Sequence, residues 1–268
     1  MKTERLKTWS EFQEAALSLI READAKREKT GEYVSQPIFR GQGVAKWDLC
    51  TTLDRKLGPA KRITMPAYHN QICTILPSLQ SFNATFGDLS RSLNVDSFES
   101  LVRDEKYIRV LEYMAYLRHY GYPSPLLDWS RSPYIASFFA YRDPRPSDEI
   151  AIYAFQEFQG DSKGWWPGKP HIRGVGPHIR VDKRHVIQQS QYTVCLQKEN
   201  DGKYYYASHQ LAFDSPGEGQ DYLVKYVLPV SERVAVLKWL DLMNVNSMSL
   251  FQNEEGLMET LSFRCEDE

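Results

Sequence analysis

Arg40, in the stretch PIFRGQ (residues 37–42), sets a guanidinium between the apolar pair Ile38 and Phe39 and the small or polar Gly41 and Gln42. An arginine in that setting is either a surface charge at a strand end or a rigid fork of donors for a phosphate or ribose, with Gly41 letting a ligand approach the backbone. His119 closes a helical pattern, where it either caps the negative end of the helix dipole or acts as a general acid or anion contact. Asp128, Trp129 and Ser130 fall between the apolar Leu126-Leu127 and a helix start. Asp128 or Ser130 reads there as an ordinary N-cap with Trp129 as core, and the same helix start is a place where backbone N–H groups receive phosphate. Between residues 163 and 185, Lys163, Lys169, Arg173, Arg180, Lys183 and Arg184 face one acid, Asp182, interleaved with His171, His178, His185 and the pair Trp165-Trp166. That patch suits a nucleic-acid backbone with stacking rings, an acidic partner protein, or a solvated loop.

The elements that must position these residues follow from periodicity and punctuation. Thr8 and Glu11 have capping-box spacing before Phe12, Ala15, Ala16, Leu19 and Ile20, an amphipathic helix that decays into the charged run READAKREKTGE, read as a solvated helix end and linker. QPIFRG predicts a short strand ending at Gly41, residues 66–82 a helix, and GDLSRSLNVDS a loop. Residues 98–119 carry apolar positions at helical spacing, stopped by Gly121 and Pro123. Leu126-Leu127 read as a strand end and Pro133 as the first turn of the next helix. DEIAIYAFQE is a strand, residues 160–178 a long loop, and RHVIQQ, YTVCLQ, KYYYASH and YLVKYVLP further strands, with a hairpin turn at Asp201-Gly202. Two helices, SERVAVLKWLDLM and one around EEGLMETL, close the chain. This is an α+β layout with a mixed, mostly antiparallel sheet flanked by helices. The division it suggests is an N-terminal helix and linker over residues 1–35 and one catalytic unit over 36–268.

Composition narrows the classes. With a net charge of -2, no whole-molecule attraction draws the 268-residue chain to nucleic acid or anionic lipid, so such binding must be local. Its four cysteines lack CxxC spacing, which argues against a zinc site and a disulfide scaffold. The N-terminus lacks a signal-peptide core and no apolar run approaches a membrane span, so the expectation is a cytoplasmic protein with no membrane partner. No Walker loop, GxGxxG, HExxH or GxSxG is present, and no metal is expected.

Taken in order, IFRGQ, then Trp47, Leu49, Thr51, Thr52, Leu53 and Arg55, then RHYGYPSPLLDWSRSPYIASFFA, then RHVIQQSQYT resemble the FRG-domain family, named for its Phe-Arg-Gly signature, from about residue 36 to the final helix. Ser124 and Ser130 stand where that family usually has threonine, keeping a hydroxyl, and Pro125 stands where it usually has arginine, removing a cation. The arginine-ended strand followed by DWSRSPYIASFFA is also similar in layout to the R-S-E class of ADP-ribosyltransferases.

What these resemblances imply is an ADP-ribosyltransferase-like fold with NAD as substrate. A cofactor-binding set would comprise Phe39, Arg40, Gly41, Gln42, Trp129 and Ser130. The catalytic set would be Arg40, His119, Asp128 and Gln188, and Trp165, Trp166, Arg173, Arg180 and Arg184 would bind the polymer. The glutamate that this class carries on a third strand is absent near RHVIQQSQY, leaving Arg184, His185 or Gln188, or an acid from elsewhere such as Glu254 or Asp128. The implied activity is transfer of ADP-ribose to RNA or DNA by a toxin of a phage-defence module, held in check by an antitoxin or other neutralising protein. The reading from a different class is a nucleic-acid or partner-binding module without turnover; a metal-dependent nuclease lacks its carboxylate cluster.

Overall fold

The computed structural model describes residues 2–58, 61–82, 105–143, 146–160, 168–175, 179, 183–214 and 221–265. Among them, strands β1 (Lys2–Arg5), β2 (Ile38–Gln42), β3 (Leu126–Ser130), β4 (Glu149–Gln156), β5 (Pro170–Gly174), β6 (Ser190–Lys198), β7 (Tyr204–Tyr206) and β8 (Tyr222–Pro229) form one sheet. Its order is β1-β8-β4-β2-β3-β6-β5, with β7 also on β6. Only β1 and β8 run parallel, so the sheet is mixed and mostly antiparallel, as expected.

The helices are α1 (Trp9–Thr30), α2 (Thr52–Leu57), α3 (Met65–Phe82), α4 (Glu105–His119), α5 (Pro133–Tyr141), α6 (Lys183–Ile187), α7 (His209–Asp214), α8 (Arg233–Leu242), α9 (Ser247–Phe251) and α10 (Glu254–Cys265). The alternation EIAIYAFQ places Ile150, Ile152 and Ala154 of β4 in one core with Phe12 of α1, Phe138 of α5 and Leu240 of α8. Ala151, Tyr153 and Phe155 point to the opposite core with Leu49, Leu127, Trp129 and Phe213. A third core joins α3 and α4 to Tyr192, Val194 and Leu196 of β6. Burial on both faces is what makes β4 a near-continuous apolar run.

The N-terminal segment belongs to this assembly: β1 pairs with β8, and Trp9, Phe12 and Ala16 share a core with Phe39. Thr8 caps α1 by accepting the Glu11 N–H at 3.3 Å, while Glu11 accepts from the N–H of Lys7 at 2.8 Å, one residue before the expected partner. The charged run stays helical to Thr30, where Gly31 stops it in the left-handed region with φ of 68°.

Four local expectations are corrected. RHVIQQ is not a strand: its apolar residues Val186 and Ile187 are adjacent rather than alternating, Val186 is 74% exposed, and the segment folds as the short helix α6 with a turn through Gln189 at φ 48°. The 160–178 loop contains β5, paired with β6 from Pro170↔Gln197 to Gly174↔Thr193. β3 does not end at Leu127 but runs through Asp128 and Trp129 to Ser130, and the N-cap of α5 is Ser132, whose Oγ accepts from the Ile135 N–H at 3.3 Å, rather than Asp128 or Ser130. Finally, β2 continues past Gly41 to Gln42. The expected loop GDLSRSLNVDS and residues 98–104 of the expected long helix lie outside the described residues.

Candidate active site: an arginine-lined cleft where the sheet divides

The central sheet is nearly split. β2 pairs along its whole length with β4, and β3 along its whole length with β6, but β2 and β3 meet only at Phe39↔Ser130. Beyond that pair the ladder is open, and Arg40 reaches across it: its Nη1 donates to the backbone carbonyl of Asp128 at 2.7 Å. A carbonyl at an open ladder needs a donor, and the guanidinium supplies one. A cleft of about 740 Å³ lies at this division.

Its charges come from separate elements. Arg40 is on β2, Arg55 on α2, Arg118 and His119 at the end of α4, Asp128 on β3 and Arg184 on α6, and all line the cleft. Arg118 Nη2 binds Asp128 Oδ2 at 2.7 Å. Burial, aggravated by Arg118 and Arg55 and only partly offset by Asp128, lowers the Arg40 pKa to about 10, so its charge persists at neutral pH in a costly setting. Arg40 Nε, Arg118 Nε and Asp128 Oδ1 are buried with no hydrogen-bond partner among the described residues. Such atoms stand out against the general satisfaction of buried polar groups.

The surrounding contacts fix the walls. Trp129 donates its indole N–H to Thr193 Oγ1 at 2.8 Å, and Thr193 Oγ1 lies 2.9 Å from His209 Nε2. Burial first, then the charge of Arg40, drives the His209 pKa down to about 3, so this ring is neutral and acts as an acceptor for the Thr193 hydroxyl. The Ser130 hydroxyl donates to the carbonyl of Gln188 at 2.8 Å and accepts from the N–H of Ser132 at 3.0 Å. Gln188 in turn donates its side-chain N–H to Leu250 O at 3.1 Å. These bonds tie the turn after α6 to β3 on one side and to α9 on the other. Phe251 of α9 and Phe139 of α5 add aromatic surface, with the guanidinium of Arg142 4.5 Å and that of Arg184 5.9 Å from the Phe251 ring centre.

Ten of the residues singled out from sequence line this one cleft: Phe39, Arg40, Gly41, Gln42, His119, Asp128, Trp129, Ser130, Arg184 and Gln188. Arg173 does not; on β5 it pairs with Glu157 at 3.4 Å over the ring of Phe158. Trp165, Trp166 and Arg180 lie outside the described residues. The expected reason for Gly41 is also corrected: a Cβ there would sit 2.0 Å from Ala136 O and 2.6 Å from Ala140 N, so its absence admits helix α5, not a ligand. Sequence reasoning assigned no role to Arg55 or Arg118, and it missed Asp48, Asp143, Phe139 and Phe251. Neither Arg118 nor Phe251 carried a local signal: residues adjacent on a helix do not share a face, so His119 did not mark Arg118, whose partner Asp128 lies on another element, and nothing marked Phe251.

With this geometry in place, comparison with protein families is decisive for one segment. Residues 35–149 match the family model of the FRG domain. That segment is an FRG domain. No curated protein and no solved structure matches the chain. The FRG domain supplies β2, α2 to α5 and β3, and with them Arg40, Arg55, Arg118, His119 and Asp128. Arg184, Gln188 and Phe251 come from the chain beyond it, so the cleft is closed by elements the FRG domain alone does not contain. Among the described residues no group of three or more His, Cys, Asp or Glu side chains is placed to hold a metal ion, and no helix is long and apolar enough to cross a membrane.

Proposed function

We propose that the cleft binds NAD as a substrate and transfers its ADP-ribose to nucleic acid, RNA in the first instance. The observation that carries this reading is that Arg40, Arg55, Arg118 and Arg184 line one cleft with aromatic walls, in which Arg118 holds the Asp128 carboxylate. Four guanidiniums match the two negative charges of a pyrophosphate with forked donors. Phe139 and Phe251 offer apolar faces for the flanking rings, while Trp129, buried in the core, backs the cleft wall. Breaking the bond from ribose C1′ to the nicotinamide nitrogen leaves an oxocarbenium-like carbon, and Asp128 is the lining carboxylate held in place by an arginine with its second oxygen unpartnered. Gln188, with its amide committed to Leu250, serves on this reading to hold the turn that frames the pocket. The further proposals of a cytoplasmic toxin in anti-phage defence and of a neutralising antitoxin rest on the family resemblance.

The test is incubation with NAD labelled in its adenylate, followed by RNA, DNA or protein. Label should move to RNA, and Asp128→Asn should stop nicotinamide release while keeping NAD affinity within about threefold. Label on none of the three polymers, with each shown to be intact, would sink the proposal.

Two observations favour a binding module without turnover: Asp128 already forms an ion pair, and Gln188 occupies the turn where the resemblance implies a catalytic acid. In that case NAD leaves the melting temperature unchanged, while polynucleotide affinity falls steeply with salt.

A further inference from the structure

The proposed transfer has one proton to manage. When the bond from C1′ to nicotinamide breaks, the electron pair stays on the ring nitrogen, which passes from pyridinium to neutral pyridine and needs no acid. The acceptor bonds to C1′ through an oxygen or nitrogen that must lose its hydrogen. A base beside the acceptor is therefore the one group the chemistry still requires.

His119 stands where such a base is needed. It lines the cleft, and its neighbour on α4, Arg118, holds Asp128. The end of one helix thus presents a carboxylate clamp to Asp128 of β3 and an imidazole to Tyr192, the residue opposed to it on β6. His119 Nε2 lies 3.0 Å from the hydroxyl of Tyr192. Tyr192 is directly opposite Asp128 in the β3–β6 register and is 2% exposed, so its hydroxyl is fixed with respect to that carboxylate. The same hydroxyl lies 3.4 Å from His185 Nδ1, and the His185 ring stacks on Tyr192 with centres 5.7 Å apart and planes 18° from parallel. One buried tyrosine is held between two imidazoles.

Resting on the transferase reading above, we propose that His119 takes the proton of the incoming acceptor and that Tyr192, packed against His185, is the positioning residue that aims it. In that step the C1′–nitrogen bond breaks with its electrons on nicotinamide, the acceptor–C1′ bond forms, and the acceptor hydrogen passes to His119 Nδ1, the buried ring nitrogen not turned to Tyr192, while Nε2–H donates to the tyrosine oxygen. Tyr192 on β6 faces His119 directly, with His185 on α6 packed against that tyrosine, and the other charged groups lining the cleft are Arg40, Asp48, Arg55, Arg118, Asp128, Asp143 and Arg184. With its Oδ2 already bonded to Arg118, Asp128 is left to face the developing cation rather than the proton.

The experiment uses the full chain, adenylate-labelled NAD and a mixed-sequence single-stranded RNA. Nicotinamide release and label transfer are followed from pH 5.5 to 9, alongside NAD affinity and melting temperature. His119→Gln should slow transfer by about 10²- to 10⁴-fold with NAD affinity within about threefold, and should abolish the acid limb of the wild-type pH profile. Tyr192→Phe, which removes only an oxygen, should lower kcat roughly 10- to 100-fold, leave KM for NAD unchanged and displace that limb. If His119→Gln proves poorly folded, Tyr192→Phe alone decides. Wild-type NAD cleavage together with full-rate transfer by His119→Gln, or an unmoved acid limb in Tyr192→Phe, overturns the base and its positioning while sparing the transferase. A wild-type protein that neither binds NAD nor releases nicotinamide overturns the transferase reading and the base with it.

Discussion

Replacing Arg40 by methionine separates a ligand clamp from a structural brace, because the two roles leave opposite marks on stability. Burial and two neighbouring arginines pull the Arg40 pKa from 12.5 to about 10. At about 1.4 kcal/mol per pH unit, keeping the charge there costs the fold roughly 3 kcal/mol. Methionine removes that cost but leaves the Asp128 carbonyl without its 2.7 Å donor, a loss of about 1–3 kcal/mol. The two effects oppose each other at similar size, so Arg40→Met should change unfolding free energy by less than about 2 kcal/mol, or a few degrees in melting temperature. An arginine whose buried pairing held the fold together would instead cost about 3–5 kcal/mol.

Binding should respond on another scale. Removing one side of a buried, hydrogen-bonded charge contact to a pyrophosphate loses about 2–5 kcal/mol, or roughly 30-fold to several thousand-fold in affinity. Calorimetry with NAD and with inorganic pyrophosphate, set beside urea unfolding of the same preparations, measures both. Wild-type protein at about 100 times Kd should gain about 2.7 kcal/mol from the ligand, and the variant should gain less than about 1 kcal/mol at that concentration. A variant that binds NAD within threefold of wild type, or that loses more than 4 kcal/mol of stability, refutes the reasoning and returns Arg40 to the role of a brace across the open ladder.

Three further outcomes follow from the contacts around the cleft. Gly41→Ala places a methyl 2.0 Å from Ala136 O and 2.6 Å from Ala140 N, so α5 must lift from β2, at a cost of at least about 3 kcal/mol in urea unfolding; an unperturbed variant would show that the packing of α5 is soft. Thr193→Val keeps shape but strips the Trp129 indole N–H and His209 of their shared hydroxyl, and should cost about 2–5 kcal/mol, measured in the same way. His209 gives a pH signature. Its folded pKa, about 3, lies below the usual 6.5, so the unfolded chain binds a proton the folded chain refuses. Its contribution is fully present above pH 6.5 and is lost as pH falls, by about 2 kcal/mol between pH 7.5 and 5. His209→Gln should flatten that slope by about one proton on unfolding, and equal slopes in the two proteins would contradict the burial argument.

What could be read from sequence was local. Pro133 marks the start of α5, the apolar run EIAIYAFQ a strand and Asp201-Gly202 a hairpin, while the family resemblance groups Phe39, Arg40, Asp128 and Ser130. What could not be read depended on partners distant in the chain. PHIRG becomes β5 only because β6 offers it an edge. RHVIQQ has residues tolerated by a strand, but Arg184 and Gln188 are drawn toward Phe251 and Leu250, some sixty positions on, and a helical turn is the shape that reaches them. Gly41 looked like space for a ligand because nothing in the sequence reveals a helix lying on that strand. The role of Arg118 needed the register that brings α4 to Asp128.

The polar atoms left unsatisfied explain why these residues should be tied to a ligand at all. Folding leaves few buried donors or acceptors unpaired, since each costs about 1–3 kcal/mol. Arg40 Nε, Arg118 Nε and Asp128 Oδ1 nevertheless lie together at the line where β2 and β3 part. Closing the ladder between these strands would have removed the need for Arg40 to donate to a backbone carbonyl, yet the chain keeps a single bridging pair and places a charged side chain in the gap. Charge held at a cost, a ladder left open and carboxylate capacity left over recur where a structure is incomplete without its ligand. An anion with two or more negative charges would lessen the first, occupy the second and leave the third facing the ligand's reactive carbon. A neutral ligand, or a protein surface touching only the rim, would answer none of them.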